Sequence, residues 1–196
     1  AKRFGNTGFQ YEVDAYPRLP YRTYLYLNVG VSSDQQLFPD LRYAAEAYHN
    51  FPKGWEASLG FRRLEFSSSN VTIVTGTVAK YYGNWWISLR PNYVIKDPDP
   101  SASASVSVRR YFGSRWEWAG FTIGGGNDET APIFVGGPTD PSQRITLGAF
   151  SLIGELRKRV TARVILRGNA GYRRDDLTRD RTRASFVLTF GAQYHW

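Results

Sequence analysis

The chain has 196 residues, 42% of them hydrophobic and 16% aromatic, with a formal net charge of +8 and a mean hydropathy of −0.42. It contains no run of 18 apolar residues, so a bundle of transmembrane helices is excluded, and no cysteine, so disulfides, thiolate metal sites and thiol nucleophiles are excluded as well. What remains is a soluble all-β protein or a membrane barrel, whose strands need only one apolar residue in two.

The sequence also lacks methionine, so Ala1 is not an initiator and the chain reads as a mature or trimmed product. Its arginines are dispersed singly through β-like segments rather than gathered in a basic block, and no nucleic-acid partner is expected.

Alternation of period two runs through the chain, and no 3.6-residue stripe competes with it. The first strand spans Phe9 to Tyr16, with Phe9, Tyr11, Val13 and Ala15 on one face and Gln10, Glu12, Asp14 and Tyr16 on the other. Residues 22–32 set Leu25, Leu27, Val29 and Val31 against Tyr24, Tyr26, Asn28 and Gly30, and residues 40–49 repeat the pattern. Further strands are predicted over 55–66, 70–82, 84–96, 101–112, 116–126, 145–157, 159–173 and 183–196, about eleven in all.

The connections alternate in character. Tight, aromatic-flanked turns fall at Tyr16–Tyr21, Phe51–Trp55, Tyr82–Trp85 and Phe112–Trp116, with a basic turn at Arg157–Arg159. Polar connections, often longer, fall at Ser32–Asp40, Ser67–Asn70, Lys96–Ser101, Gly124–Arg144 and Arg173–Arg183. Short turns at one end and polar loops at the other describe an up-and-down antiparallel transmembrane β-barrel in the bacterial outer membrane, forming a single domain over residues 1–196. Tyr16, Tyr21, Phe51, Trp55, Tyr82, Trp85, Phe112, Trp116, Tyr194 and Trp196 then form the aromatic girdle at the periplasmic end. Strand parity places an ascending strand before Phe9, of which Ala1–Phe4 would be the remainder. About twelve strands are therefore expected in the intact protein, because single-chain barrels have even numbers.

The C-terminal stretch is the strongest motif. Every second residue back from Trp196 is apolar (Tyr194, Ala192, Phe190, Leu188 and Phe186), which looks like the terminal-strand signal of outer-membrane barrels. The polar face carries Glu12, Asp14, Arg42, Glu46, Glu56, Arg62, Arg90, Arg109, Arg163 and Arg167 at positions read as mid-strand. Arginine suits an enclosed space shared with carboxylates, since its planar fork satisfies them in pairs. These ten residues are assigned to the lumen as cross-barrel ion pairs; either the arginines and carboxylates pair across a filled lumen, or the carboxylates neutralise only some of the arginines and leave a positive residual field.

Catalysis has little to draw on. A lipid-cleaving barrel enzyme needs a nucleophile and a base, and the two histidines, His49 and His195, both fall near predicted periplasmic strand ends. The acidic loop residues Asp97, Asp99, Asp128, Glu129, Asp175 and Asp176 lack calcium-loop spacing, so no metal is expected. No cofactor motif is present either. The arginines at 173, 174, 179, 181 and 183 read equally well as a lipopolysaccharide-phosphate contact and as a loop paired with Asp175, Asp176 and Asp180.

The stretches RFGNTGFQYEVDAYPRLP (3–20), NFPKGWEASLGFRRLEFSSSNVTIVTGTVAKYYGNWWISLRP (50–91) and RRYFG (109–113) resemble the YaiO family of outer-membrane β-barrel proteins, and the resemblance extends to about Gly126. It implies a barrel often associated with surface-polysaccharide systems and no catalytic residues. The expected function is non-enzymatic service in surface-polysaccharide export or assembly, with a small-solute channel and a lipid or lipopolysaccharide hydrolase as alternatives. The expected partners are outer-membrane lipid and lipopolysaccharide, acidic polysaccharide, and other subunits of a secretion or glycan system.

Overall fold

The computed structural model describes residues 2–3, 6–7, 9–33, 39–67, 69–95, 100–114, 116–126, 132–134, 144–146, 150–178 and 181–194. Its strands in chain order are β1 (Lys2–Arg3), β2 (Asn6–Thr7), β3 (Gln10–Ala15), β4 (Arg18–Leu19), β5 (Thr23–Ser32), β6 (Leu41–Phe51), β7 (Trp55–Phe66) and β8 (Ser69–Tyr82). They continue as β9 (Trp85–Ile95), β10 (Ser101–Tyr111), β11 (Trp118–Gly126), β12 (Pro132–Phe134), β13 (Arg144–Thr146), β14 (Phe150–Arg159), β15 (Val164–Thr178) and β16 (Arg181–Tyr194). Twelve of them form one sheet in the order β3-β5-β6-β7-β8-β9-β10-β11-β14-β15-β16, with β4 also on β5. Every ladder with a described register is antiparallel. Strands adjacent in sequence are adjacent in the sheet, the up-and-down order that the alternating turns predict.

β3 and β4 are one strand interrupted by a proline. Ala15 faces Leu27 and Arg18 faces Tyr24, so the register runs unbroken across the gap, and Leu25 N donates to Pro17 O at 2.9 Å. Pro17 has no N–H to return, and the ladder lapses only there. Counting these two pieces as one leaves eleven long strands, the number that the alternation predicts.

Differences appear at four places. Lys2–Arg3 pairs with Asn6–Thr7 in a separate two-stranded ladder instead of joining the main sheet as a first strand. Residues 144–146, expected to begin a long strand, pair with 132–134 in another small ladder, and the sheet strand starts at Phe150. The Arg173–Arg183 connection is mostly strand, since β15 runs to Thr178 and β16 starts at Arg181.

The basic turn expected at Arg157–Arg159 lies further on, at Val160–Arg163. There Thr161 Oγ1 accepts from Arg163 N at 3.2 Å and Val164 N at 3.0 Å. A threonine hydroxyl that satisfies two backbone donors holds the turn, and the arginines before it stay in the ladder.

The connection from β8 to β9 is two residues, Gly83 and Asn84. Gly83 alone has a positive φ, +56°, the pattern of a type II′ hairpin, which requires glycine first.

Contacts divide the chain into two units, residues 1–78 with 91–102 and residues 79–90 with 103–196. In the first, Tyr11, Val13, Leu27, Val29, Val31, Leu59 and Phe61 are bare while Asn28, Arg42, Glu46 and Glu56 are buried. In the second, Leu89, Val106, Phe121, Leu152, Leu166, Phe186, Leu188 and Phe190 are bare while Ser88, Ser103, Ser105, Thr122, Ser151 and Glu155 are buried. A few apolar residues, Ile153 and Ile165 among them, interrupt the buried polar rows. Each unit thus covers its polar face and exposes its apolar one, the inverse of a protein that folds in water and the arrangement of a sheet whose outer solvent is lipid. No helix among the described residues is long and apolar enough to cross a membrane.

Candidate functional site

The covered polar face is built on glycines. Gly30 lies directly opposite Glu12 on one side and Arg42 on the other, and Arg42 Nη1 reaches over it to Glu12 Oε1 at 2.7 Å. A Cβ on Gly30 would stand 2.8 Å from Arg42 Cγ and 2.9 Å from Glu12 Cγ, so the missing side chain is what lets an ion pair span an intervening strand. The same device recurs in the second unit. Gly120 lies opposite both Arg109 and Glu155, whose Nη2 and Oε2 are 3.7 Å apart, and a Cβ there would meet Val108 O at 2.6 Å and Arg109 Cγ at 2.9 Å. Gly60, opposite Glu46, is tighter still, with Ala45 O and Glu46 Cβ both 2.5 Å from an added Cβ.

Around the first ion pair, carboxylates accept hydrogen bonds from neutral donors. Asp14 accepts from Asn28 Nδ2 at 2.7 Å and Tyr26 Oη at 3.1 Å. Glu46 accepts from Ser58 Oγ at 2.5 Å, and Glu56 from Tyr24 Oη at 3.4 Å. Tyr24 stacks on Tyr48 with centroids 4.6 Å apart, and Tyr16 on Tyr26 at 5.5 Å.

The second unit is different in kind. The Arg109 guanidinium lies between two indoles, 4.6 Å from the centroid of Trp86 and 4.4 Å from that of Trp118. Arg157 lies 5.0 Å over Trp116. Arg157 and Arg167 are direct cross-strand partners, and each donates an Nη2 to the same atom, Gln193 Oε1, at 2.9 Å. Like charges directly opposite one another oppose strand pairing unless something draws them together, and here one amide oxygen serves both.

Of the ten expected polar-face residues, nine lie on covered-face positions: Glu12, Asp14, Arg42, Glu46, Glu56, Arg62, Arg90, Arg109 and Arg167 are buried or half-buried. They divide by sign. Carboxylates outnumber arginines in the first unit, with Glu12, Asp14, Glu46 and Glu56 against Arg42 and Arg62. Arginines dominate the second. Among these nine residues the arginine excess lies in the second unit.

Arg163 is a correction. It is exposed in the Val160–Arg163 turn, where its backbone N–H is taken by Thr161 and its Nη1 approaches Tyr194 Oη at 3.4 Å. Arg157, Glu155, Trp118 and Gln193 escape the sequence reading. Alternation carried two residues past Glu155 finds Arg157, but nothing local marks Gln193.

Among the expected girdle residues, Tyr21, Phe51, Trp55, Tyr82, Trp85, Phe112 and Tyr194 are well exposed, and Tyr16 less so. Arg110 lies over the Trp85 and Phe112 rings at 5.5 and 5.7 Å. Trp116 is half-buried and turns inward beneath Arg157 instead, because β11 begins only at Trp118. Trp196 and His195 lie outside the described residues, as does Arg179 of the basic cluster.

His49 Nδ1 is 2.9 Å from Thr23 Oγ1, and its ring meets Phe51 edge-on with centroids 4.5 Å apart, so it packs as a strand-end side chain. No group of three metal-ligating side chains occurs among the described residues. Comparison with curated proteins finds no match. A family model does match: residues 1–130 correspond to the YaiO membrane beta barrel domain, and a chain built as an up-and-down antiparallel sheet with a bare apolar face and a covered polar one belongs to that family of membrane β-barrels.

Proposed function

We propose that this barrel lies in the bacterial outer membrane and serves surface-polysaccharide export or assembly without chemistry of its own. The observation that carries the reading is the arginine and tryptophan ladder on the covered face, Trp86, Arg109, Trp118, Arg157 and Arg167. Guanidinium groups attract acidic substituents, and indole faces accept sugar rings. The outer membrane is where bacterial single-chain barrels of this antiparallel, short-turned type reside.

A hydrolase would need a nucleophile within reach of a base. The one described histidine is engaged by Thr23 and Phe51, which favours the non-enzymatic reading. Deleting the gene is expected to change secreted or cell-bound polysaccharide and to leave lipid A acylation as it was. An unchanged glycan profile with altered lipid A would reject the proposal in favour of a hydrolase.

A further inference from the structure

We infer that Arg157, Arg167 and Gln193 form a binding site for an oxyanion, the carboxylate or phosphate group of an acidic carbohydrate. Three independent observations converge on it.

The first is the shared acceptor. Two guanidinium groups, cross-strand partners, point Nη2 atoms at one neutral oxygen, Gln193 Oε1, each at 2.9 Å. An amide oxygen carries only a partial charge, whereas two convergent guanidinium forks match a group with a full negative charge and several acceptor oxygens. Arg157 has no carboxylate at ion-pair distance among the described residues.

The second is a set of unmet donors. Arg157 Nε, Arg109 Nε and Trp86 Nε1 are buried without an acceptor among the described residues. Of the three, Arg157 Nε belongs to the proposed site, so what is missing there is an acceptor.

The third is room. Gly191 lies directly opposite Arg167 in the next strand, on the face that Arg157 and Arg167 share, and a Cβ built on it would meet nothing within 4 Å among the described residues. Three other glycines of the covered face behave differently: Gly30, Gly60 and Gly120 make way for a neighbouring side chain, each within 3 Å of an added Cβ. Gly191 makes way for nothing among the described residues, which leaves open space beside Arg167 on that face.

The carbohydrate carrier rests on the proposed function; the oxyanion site itself does not. The test is equilibrium binding to the full chain folded in detergent micelles, read by tryptophan fluorescence. The probes are a galacturonate trimer, a neutral galactose trimer and inorganic phosphate. The galacturonate trimer is expected to bind and the galactose trimer not, with phosphate competing. Arg157→Gln and Arg167→Gln are each expected to weaken binding about tenfold or more, the scale of one lost charge-assisted hydrogen bond.

Gly191→Asp, which supplies the anion from within the chain, is expected to abolish binding while leaving the fold intact by its heat-dependent migration in SDS. This second variant keeps the proposal testable should an arginine variant fail to fold. Binding of phosphate without the trimer would retain the site and identify its ligand as a phosphate group. Binding of neither anion, or anion binding that all three variants leave unchanged, would overturn the site. The deletion phenotype in cells bears on the proposed function alone, so the two can fail separately.

Discussion

Gly30, Gly60 and Gly120 show how much of this protein is decided by side chains that are absent. Each sits on the covered face beside a charged residue, and an added methyl would come within 3.0 Å of a neighbouring atom. At Gly60 and Gly120 that atom is backbone carbonyl oxygen, which cannot swing aside. Gly60→Ala and Gly120→Ala are therefore expected to lose about 1 to 3 kcal/mol, the usual range for overpacking. Gly154→Ala, where the nearest atom is 3.9 Å away, is expected to be tolerated. Urea titration of the folded chain in lipid vesicles would measure all three, and equal effects would remove the glycines' role. Alternation in the sequence reveals which face these glycines occupy but not what crosses them. The pairing of Glu12 with Arg42 and of Arg109 with Glu155 depends on register across two strands, which no local pattern specifies.

Strands were the legible elements. The predicted segment 55–66 coincides with β7, because each of its ends carries a strong signal: the Pro52–Gly54 turn on one side and a serine run on the other. Legibility fell where composition changed its meaning. The Arg157–Arg159 segment reads as a turn because it is basic, yet its alternation with Leu156 is that of a strand with one covered face, and the ladder runs through Arg159. For the same reason Arg163 reads as a strand residue, whereas it lies in the turn.

Face assignment can be tested within one strand. Leu188 is bare and Thr189, its neighbour on the opposite face, is half-buried. Leu188→Arg is expected to cost about 2 to 4 kcal/mol in a bilayer, whereas Thr189→Arg enters the polar face and is expected to cost clearly less. The folded fraction recovered in lipid vesicles reads the difference, and the opposite order would invert the faces.

At the scale of the whole molecule, the account rests on one claim, that the apolar face meets lipid and the polar face does not. The absence of cysteine makes the claim open to direct measurement, because every introduced thiol is unique. Single cysteines placed in turn from Phe186 to Gly191, each carrying a nitroxide, can be compared for collision with molecular oxygen, which concentrates in lipid, and with a water-soluble nickel complex. The account predicts oxygen maxima at Phe186, Leu188 and Phe190 and nickel maxima at Val187, Thr189 and Gly191, alternating residue by residue in a bilayer. Alternation of the opposite phase, or nickel access at every position, would contradict it.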